Sequence, residues 1–463
     1  MKKKRLFSAL LAAALTLSLV ACGSSEKEAA PAESTPPPAP SGPDDVDLKK
    51  LAADYNGEIK LTLWGTNSIG EDISSRGFLL NQMAQDYASQ FDNVSIEYVY
   101  QGGYDAVSEK VMAGAAAKDL PTMFMTEEDM VKGFGSIAAD LNDYVPSTAI
   151  KNYSPGLLVS MIDTEGRLLG APFARSLPVL HANKELLEQA GWKVEDIKTN
   201  DDLFACAKDV TDKTGAYGFC AFWDTDAWHW ESAIYADGGS VLTEDGSAPA
   251  IGADYDYVGA KFVNRIKEGL LAGYVANPYG TPKPNDTRSD MLAKGEVALT
   301  LSSSSSISKR GKAMTENGYT LVSAIQPAGE GGYSIASGGS NWVITESSSY
   351  EEKMIAGGFL AYLAEDDNVC SMTLNCGNMV ITESAKDRDE VKQLLEKEPY
   401  YQAVFDSVPY LHARANTPFW TEMYTYAVDK LDQFTIYPAE TDVEAMIDDI
   451  AVKFQQIIDN NTW

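Results

Sequence analysis

The chain has 463 residues, which is enough for two domains with separate hydrophobic cores. Its formal net charge is −30, so the surface would repel nucleic acid and anionic lipid head groups. After the first 21 residues no stretch is long and apolar enough to span a membrane. We therefore expect a folded protein that does not bind nucleic acid. Its attachment to a membrane would not depend on a basic surface.

Residues 1–21 are predicted to be an export signal. Basic residues at positions 2–5 precede an apolar run that ends at Val20 and is too short to cross a bilayer as a helix. Leu19-Val20-Ala21-Cys22 resembles the bacterial lipobox, in which the cysteine receives lipid and the chain is cut before it. The resemblance predicts a lipid anchor at Cys22 on the outer face of the cell membrane. A plain signal peptide with an incidental Cys22 is the alternative.

Residues 22–54 are predicted to be a tether that follows the lipidated cysteine. Proline is frequent there among alanine, serine and glutamate, and such a composition cannot bury a core. The predicted export permits disulfides in the rest of the chain. Cys370 and Cys376 are close enough in sequence to bridge across a loop. Cys206 and Cys220 lie in helical and strand-like patterns, which suit buried free thiols at least as well.

The body opens with an alternating strand at 58–64, in which Ile59, Leu61 and Leu63 point to one face. A helix with apolar residues four apart follows, then a strand at 94–100 and a helix at 104–117. This alternation of strands and helices predicts a mostly parallel α/β sheet.

The second half continues the same pattern. An extended segment at 168–181, which contains two prolines and a glycine, is predicted to cross between two lobes. Thr199 and Asp202 form a capping-box pattern at the start of a helix. Further strands are predicted at 217–222, 295–301 and 341–345, and further helices at 184–190, 256–271, 353–363 and 443–457.

Seven short motifs lie in a fixed order along the body, and one family shares that order. They are Leu61-Thr-Leu-Trp64, Ala116-Ala-Lys-Asp-Leu-Pro121, Ile137-Ala-Ala-Asp-Leu141, Gly170-Ala-Pro172, Val179-Leu-His-Ala-Asn-Lys184, Gly295-Glu-Val-Ala298 and Gly338-Gly-Ser-Asn-Trp342. Over residues 58–459 the chain resembles the carbohydrate-type solute-binding proteins of ABC importers, which include maltose- and glycerol-3-phosphate-binding proteins. Lys118, Thr122 and Ala182 depart from the family pattern, and Asn378 stands where the family has a tyrosine that often touches ligand.

The resemblance implies an α/β protein with the two-lobe periplasmic-binding-protein fold (type II), in which mixed sheets are flanked by helices. It assigns residues 55–170 and 300–337 to the N-terminal lobe, and residues 171–299 and 338–463 to the C-terminal lobe. A ligand would lie in the cleft between the lobes, which close by hinge motion. We expect a monomer without cofactor or metal that delivers a small solute to the transmembrane subunits of an ABC permease. Only the lipid anchor would contact the membrane.

A hydroxyl-rich ligand needs flat apolar faces and fixed polar groups. In open α/β sheets such groups follow the carboxyl ends of strands. For each tryptophan candidate the alternative is core packing, and for Glu127 it is a solvated charge. The candidates from tryptophans and from loops beside strands are Trp64, Asn67, Glu127, Trp228, Trp230, Ser303, Gly338 and Gly339.

Two arginines raise the question of ligand charge. Arg175 and Ser176 lie on the predicted crossing, and Arg414 lies in a polar loop before Trp420. The glycerol-3-phosphate-binding members of the family place serine and arginine at similar stretches, and a guanidinium is a good phosphate clamp. The alternative for each arginine is an ion pair with a carboxylate. Both a sugar or oligosaccharide and a polyol phosphate therefore remain as ligand classes.

A secreted hydrolase acting on glycosides is the second functional class. The chain contains neither a G-x-S-x-G elbow nor an H-E-x-x-H motif, and its three histidines have no pairing spacing. A pair of catalytic carboxylates is compatible with the many Asp and Glu residues. A passive surface lipoprotein is the third class. The resemblance favours binding without catalysis over both.

Overall fold

The computed structural model describes residues 42–223, 227–415, 417 and 419–460. The predicted signal and Cys22 lie outside the described residues. Within them the chain forms two five-stranded mixed sheets, each flanked by helices, as well as a two-stranded pair. The two-lobe α/β fold predicted from the sequence is confirmed.

The secondary structure follows the predicted alternation closely. The strands are β1 (Ile59–Gly65), β2 (Val94–Tyr100), β3 (Met123–Glu127), β4 (Ala171–Ser176), β5 (Pro178–Asn183), β6 (Tyr217–Cys220), β7 (Val275–Ala276), β8 (Val297–Ser303), β9 (Leu321–Ile325), β10 (Ile335–Ala336), β11 (Gly338–Ile344) and β12 (Leu411–His412). The helices are α1 (Leu48–Asp54), α2 (Arg76–Ala88), α3 (Tyr104–Ala117), α4 (Ser147–Asn152), α5 (Lys184–Ala190), α6 (Asn200–Thr214), α7 (Trp228–Ala236), α8 (Val258–Ala272), α9 (Pro284–Ala293), α10 (Ile307–Glu316), α11 (Tyr350–Leu363), α12 (Asp366–Cys376), α13 (Asp389–Lys397), α14 (Gln402–Ser407), α15 (Trp420–Ile436) and α16 (Val443–Asn460).

The first lobe is built on the sheet with strand order β2-β1-β3-β11-β4. Strands β1, β2 and β3 are parallel, and β11 runs antiparallel to both β3 and β4. The predicted inward residues Ile59, Leu61 and Leu63 are buried, because the alternation of β1 turns them toward the core. Helices α2, α3 and α11 pack against this sheet.

The second lobe is built on the sheet with strand order β7-β6-β8-β5-β9. Strand β6 is parallel to β7 and β8, whereas β5 is antiparallel to β8 and β9. Helices α5, α6 and α8 cover it, and α8 packs on α16, which packs on α15. The predicted capping box of Thr199 and Asp202 is present at the start of α6.

The lobe boundaries predicted from the sequence need correction. Residues 300–337 were expected in the first lobe, but β8 and β9 belong to the second sheet. Residues 171–176 and 338–344 were expected in the second lobe, but β4 and β11 pair within the first sheet. The chain therefore crosses at Leu177, between β4 and β5, and returns between β9 and β11. Strand partners across such a crossing are set by tertiary packing, which the local pattern does not encode.

The predicted tether ends earlier than residue 54. Residues Leu48–Asp54 form α1, which Asp47 caps by accepting hydrogen bonds from two backbone N–H groups. This helix packs on α11, where Leu48 lies against Gly358 and Ala52 is buried. Apolar residues at positions 48, 51 and 52 give the segment an inward face, so it belongs to the body.

Cys206, Cys220, Cys370 and Cys376 are free thiols in the described structure. Cys370 and Cys376 both lie in α12, so no loop separates them, and the bridge that the sequence left open is not formed in the described structure. Burial raises the pKa of the Cys206 and Cys220 thiols to about 12, which keeps them protonated. In the described part of the chain, every helix falls short of the length and apolarity that a membrane crossing requires.

Candidate ligand site

Polar side chains gather where β1 and β3 end and the chain crosses between the lobes. Thr66 and Asn67 follow β1, and residues 127–129 end or follow β3. Arg175 lies at the end of β4, beside this edge. Because β1 and β3 are parallel neighbours, their carboxyl ends meet at one edge of the sheet. This edge is the candidate ligand site.

Arg175 lies beneath the site and is fully buried. Its guanidinium forms an ion pair with Glu128 and donates hydrogen bonds to Ser337 Oγ (2.6 Å) and Asn341 Oδ1 (3.0 Å). Glu128 in turn accepts hydrogen bonds from the hydroxyls of Ser160 and Ser337. Arg175 is thus compensated by a carboxylate of its own lobe.

Arg414 is also fully buried and bridges two carboxylates. Its Nη2 lies 2.9 Å from Asp129 Oδ2 and 2.6 Å from Glu231 Oε2, and its Nε donates to the same oxygen of Glu231. The guanidinium carbon lies 5.8 Å from the ring centres of Trp420 and Tyr424. We call the buried charged residues Glu128, Asp129, Arg175, Glu231 and Arg414 the ionic floor.

Three carboxylates of the ionic floor face two guanidinium groups. Burial, together with the nearby Glu231, raises the pKa of Asp129 to about 7 despite the opposing charge of Arg414. The sequence left two roles open for Arg175 and Arg414, a phosphate clamp and an ion pair with a carboxylate. Both are buried against carboxylates, so a phosphate there would have to displace these partners.

One pocket opens beside the ionic floor at the end of β1 and has a volume of about 330 Å³. Hydroxyl and amide groups from the β1–α2 loop make up most of its wall, and Arg76 supplies its charge. We call this the β1 pocket. Its lining residues are Thr66, Asn67, Ser68, Ser74, Ser75, Arg76, Gly77, Tyr100 and Cys376.

A second pocket, of about 160 Å³, lies between the two lobes. The first lobe contributes the predicted Glu127 and Tyr104, whose hydroxyl lies 2.7 Å from Ser340 Oγ. Helix α15 of the second lobe contributes Trp420 and Tyr424, among others. Burial raises the pKa of Tyr104, so its phenol stays neutral and can hydrogen bond with hydroxyl groups. We call this the α15 pocket.

Other cavities lie away from this edge. One, of about 890 Å³, is on the surface of the first lobe beside α4 and α11. Another, of about 400 Å³, is lined by charged residues such as Asp201 and Lys261. A third, of about 310 Å³, is in the second lobe, where Phe222 stacks on Tyr279 with ring centres 5.7 Å apart. Phe222 follows β6, so this aromatic wall lies at a strand end that the sequence analysis did not select.

The three tryptophan candidates have different environments. Trp64 is half-buried and packs against the core of the first lobe. Trp228 is 6% exposed, and its indole N–H donates to the carbonyl of Ala336. Trp230 is fully buried and donates to the carbonyl of Gly259, which is the core packing given above as the alternative to a ligand contact.

The remaining candidates lie along the crossing strands. A Cβ on Gly338 would lie 2.9 Å from the Trp228 ring, and one on Gly339 would lie 2.3 Å from the Ala174 carbonyl oxygen. Close packing therefore explains these two glycines without a ligand. Ser176 is largely buried and pairs with Gly338, whereas the half-buried Ser303 has its hydroxyl 3.0 Å from that of Ser305.

Several residues of the two pockets could not be predicted from loops that follow strands. Arg76, Tyr104 and Tyr424 are among them, because they lie in helices. Arg76 and Tyr104 are the first residues of α2 and α3. A search of the first helical turn after each strand would have found both, since that turn shares the edge with the strand ends.

Two α/β lobes with polar pockets at the strand ends define a protein of the two-lobe solute-binding class. The fold is similar to that of the cyclic alpha-maltosyl-1,6-maltose binding protein from Arthrobacter globiformis. The TM-score is 0.72 at 19% identity, and the match covers 88% of this chain and 100% of that one. At this identity the likeness shows the fold alone.

Residues 82–398 match the model of the family of bacterial extracellular solute-binding proteins, and the chain belongs to that family. It is 22% identical to the sn-glycerol-3-phosphate-binding periplasmic protein UgpB of Rhizobium meliloti (strain 1021), over 69% of this chain and 76% of the relative. It is 24% identical to the lactose-binding protein of Rhizobium radiobacter, over 65% of this chain and 70% of the relative. The resemblance found in the sequence motifs is confirmed.

Proposed function

We propose that the protein is the extracellular receptor of an ABC importer for a small hydroxyl-rich solute. The solute would be a sugar, a short oligosaccharide or a polyol phosphate, bound without chemical change. A lipid on Cys22 would hold the receptor at the outer face of the membrane. The receptor would deliver its solute to the transmembrane subunits of the permease.

The observation that carries this proposal is the pair of polar pockets beside the ionic floor. Hydroxyl and amide groups dominate the β1 pocket, and the α15 pocket combines Glu127 with the aromatic side chains of Tyr104, Trp420 and Tyr424. Carboxylates accept hydrogen bonds from sugar hydroxyls, and aromatic rings pack against the apolar faces of sugar rings. Both pockets thus offer groups suited to polyhydroxyl ligands.

The named relatives bind chemically related solutes. One is a binding protein for sn-glycerol 3-phosphate and the other for lactose. Both solutes carry more than one hydroxyl group, but only the first carries an anionic group. These names therefore support a hydroxyl-rich solute. Whether that solute is charged has to be inferred from the chemistry of the site.

The α15 pocket suggests how binding would favour one conformation. Its walls come from both lobes, so a solute there touches both only when they are close together. Such contacts exist in the closed form and are lost in the open form, which shifts the population toward closure. A permease that recognises the closed form would then receive loaded receptors in preference to empty ones.

Thermal unfolding with a panel of sugars, oligosaccharides, polyols and polyol phosphates tests the proposed function. We expect at least one compound to raise the melting temperature in a concentration-dependent manner. Isothermal titration calorimetry should show one site, and the compound should be recovered intact after long incubation. Phe substitutions at Tyr104 and Tyr424 should weaken binding, whereas Tyr255→Phe, at an exposed position, should not. Conversion of the compound to a product would contradict the proposal, as would a panel in which nothing binds.

A further inference from the structure

Arg76 differs from the two buried arginines of the ionic floor. It lines the β1 pocket and is half-buried. In the described structure no Asp or Glu oxygen pairs with its guanidinium within 4.0 Å. Arg175 and Arg414, by contrast, each contact a carboxylate. Arg76 is therefore the cation of the site whose charge the protein does not neutralise by direct contact.

The guanidinium of Arg76 is held in place by neutral groups. Its Nε donates to Asn378 Oδ1 (3.0 Å), and its Nη2 lies 3.5 Å from the carbonyl oxygen of Cys376. Asn378 is buried, and its amide nitrogen lies 3.4 Å from the carbonyl oxygen of Arg175. Asn378 therefore orients Arg76 through a neutral amide.

The wall of the β1 pocket contains no carboxylate among its described lining residues. Asp72 belongs to the same loop, but its Oδ1 accepts hydrogen bonds from the backbone N–H and the hydroxyl of Ser74. Over the whole chain acidic residues outnumber basic ones by 67 to 37, so a pocket with one arginine and no acidic side chain stands out. Its local charge favours an anion over a neutral or cationic group.

The loop that forms the pocket is fixed before any ligand arrives. The Asn67 N–H donates to the Tyr98 hydroxyl, which donates back to the Asn67 carbonyl oxygen (3.0 and 2.7 Å). The Ser75 hydroxyl accepts from the Gly70 N–H at 2.9 Å, and Gly77 packs directly under the Ser68 carbonyl. A preformed pocket loses little conformational entropy on binding, which benefits a small ligand most.

We propose that Arg76 binds an anionic group of the solute, a phosphate or a carboxylate, in the β1 pocket. This inference rests on the proposed function, because the anionic group belongs to the hydroxyl-rich solute. The hydroxyls of Thr66, Ser74 and Ser75 flank Arg76 in the pocket wall. They now donate to Met125 Sδ, Asp72 Oδ1 and the Ser68 carbonyl oxygen respectively, and each would rotate to donate to a bound anion. The rest of the solute extends along the site edge toward Glu127. The solute class is thus a polyol or sugar with one anionic end.

Two matched series test this assignment by calorimetry on the whole protein. One is glycerol, glycerate and glycerol 3-phosphate; the other is glucose, glucuronate and glucose 6-phosphate. We expect an anionic member to bind more tightly than its neutral parent, and the carboxylate and phosphate arms show which anion is preferred. Arg76→Met should weaken that member by about 10-fold or more, since hydrogen bonds to charged groups are strong, and should leave the neutral parent unchanged.

Control variants distinguish the loss of the Arg76 charge from a loss of folding. Arg76→Lys keeps the charge but not the planar fork, so it should retain part of the affinity. Arg265→Met makes the same chemical change at a partly exposed ion pair in the second lobe and should have no effect. Melting temperatures of all variants show whether each is folded, and a destabilised Arg76→Met is replaced in the comparison by Arg76→Lys.

The outcomes distinguish this inference from the proposed function. Binding of a neutral sugar with equal affinity by wild type and Arg76→Met, without preference for any anion, overturns the role of Arg76 and leaves the receptor function standing. Tight binding of an anion that Arg76→Met does not weaken also overturns the role of Arg76 and leaves the receptor function standing. Failure of the two series and of the wider panel to bind overturns both proposals.

Discussion

At the scale of single residues, burial decides what an arginine does in this protein. The sequence placed Arg175 and Arg414 near the site, and the structure places both beneath it. Their carboxylate partners, Glu128, Asp129 and Glu231, come from distant positions in the chain. A phosphate clamp and a buried ion pair use the same residue type, so only the three-dimensional neighbours distinguish them. Sequence spacing therefore located these residues without assigning their roles.

Removal of the Arg414 side chain should affect stability more than ligand selectivity. Arg414→Met leaves Asp129 and Glu231 buried without their guanidinium partner, which typically costs about 3–5 kcal/mol. Chemical denaturation measures the loss, and the partly exposed Arg265→Met is the matched control. Adding Asp129→Asn and Glu231→Gln should restore part of the stability. An Arg414→Met protein as stable as wild type would contradict the role assigned to the ionic floor.

The raised pKa of Asp129 predicts a pH dependence of stability. Folding shifts the pKa of this carboxyl from 3.8 to about 7, so the folded state binds its proton more tightly than the unfolded state. The resulting stabilisation is complete below the unfolded pKa and is lost as the pH rises through the folded pKa. Asp129→Asn cannot titrate, so its melting temperature should fall less than that of wild type between about pH 5 and about pH 8. An equal fall in the melting temperature of the two proteins over this pH range would contradict the raised pKa of Asp129.

At the scale of elements, local patterns predicted the strands well and their pairing poorly. The alternation of apolar and polar residues predicted β1 and β2, and the capping box predicted the start of α6. The same patterns did not reveal that β11 inserts between β3 and β4. Pairing in a sheet depends on distant partners, and both β4 and β11 look like generic extended segments at a crossing. The lobe boundaries were therefore misplaced although the elements were mostly found.

Strand β11 offers a direct test of this pairing. Gly339 has a φ of +100°, and its register with β4 is irregular at this point. Gly339→Ala would place a methyl group 2.3 Å from the Ala174 carbonyl oxygen and should cost about 2 kcal/mol or more. A methyl group on Gly280 would meet nothing within 4 Å, so Gly280→Ala is the control and should stay within about 0.5 kcal/mol of wild type. Equal unfolding curves for both variants would contradict the close approach at β11.

At the scale of the whole molecule, the fold could be predicted because its evidence is spread along the chain. Seven weak motifs in a fixed order identified the family, and the match over residues 82–398 confirms it. The site could be predicted only in part. Asn67 and Glu127 line the two pockets, but Arg76 and Tyr424 become neighbours of the site only after the chain has folded. Family resemblance thus gave the architecture, whereas ligand contacts depend on side chains that vary within it.

The proposed anchor can be tested in cells. Cys22→Ala removes the thiol that would carry lipid, and acyl chains contribute about 0.8 kcal/mol per buried CH₂ group to membrane binding. We expect the wild-type protein in the membrane fraction and the variant in the soluble fraction, each detected with an antibody against the body. Cys376→Ala, a substitution at a cysteine within the body, should not change the distribution. Membrane association of Cys22→Ala equal to that of wild type would contradict the anchor.

Helix α1 determines which lobe the N-terminal segment of the chain is joined to. It packs on α11, a helix of the first lobe, so the chain that precedes it departs from the first lobe. Were the proposed lipid on Cys22 to hold the chain at the membrane, a hinge movement would displace the second lobe relative to the first lobe and α1. The first lobe would then be the fixed half of the receptor, and binding of a solute would be expressed as a movement of the second lobe.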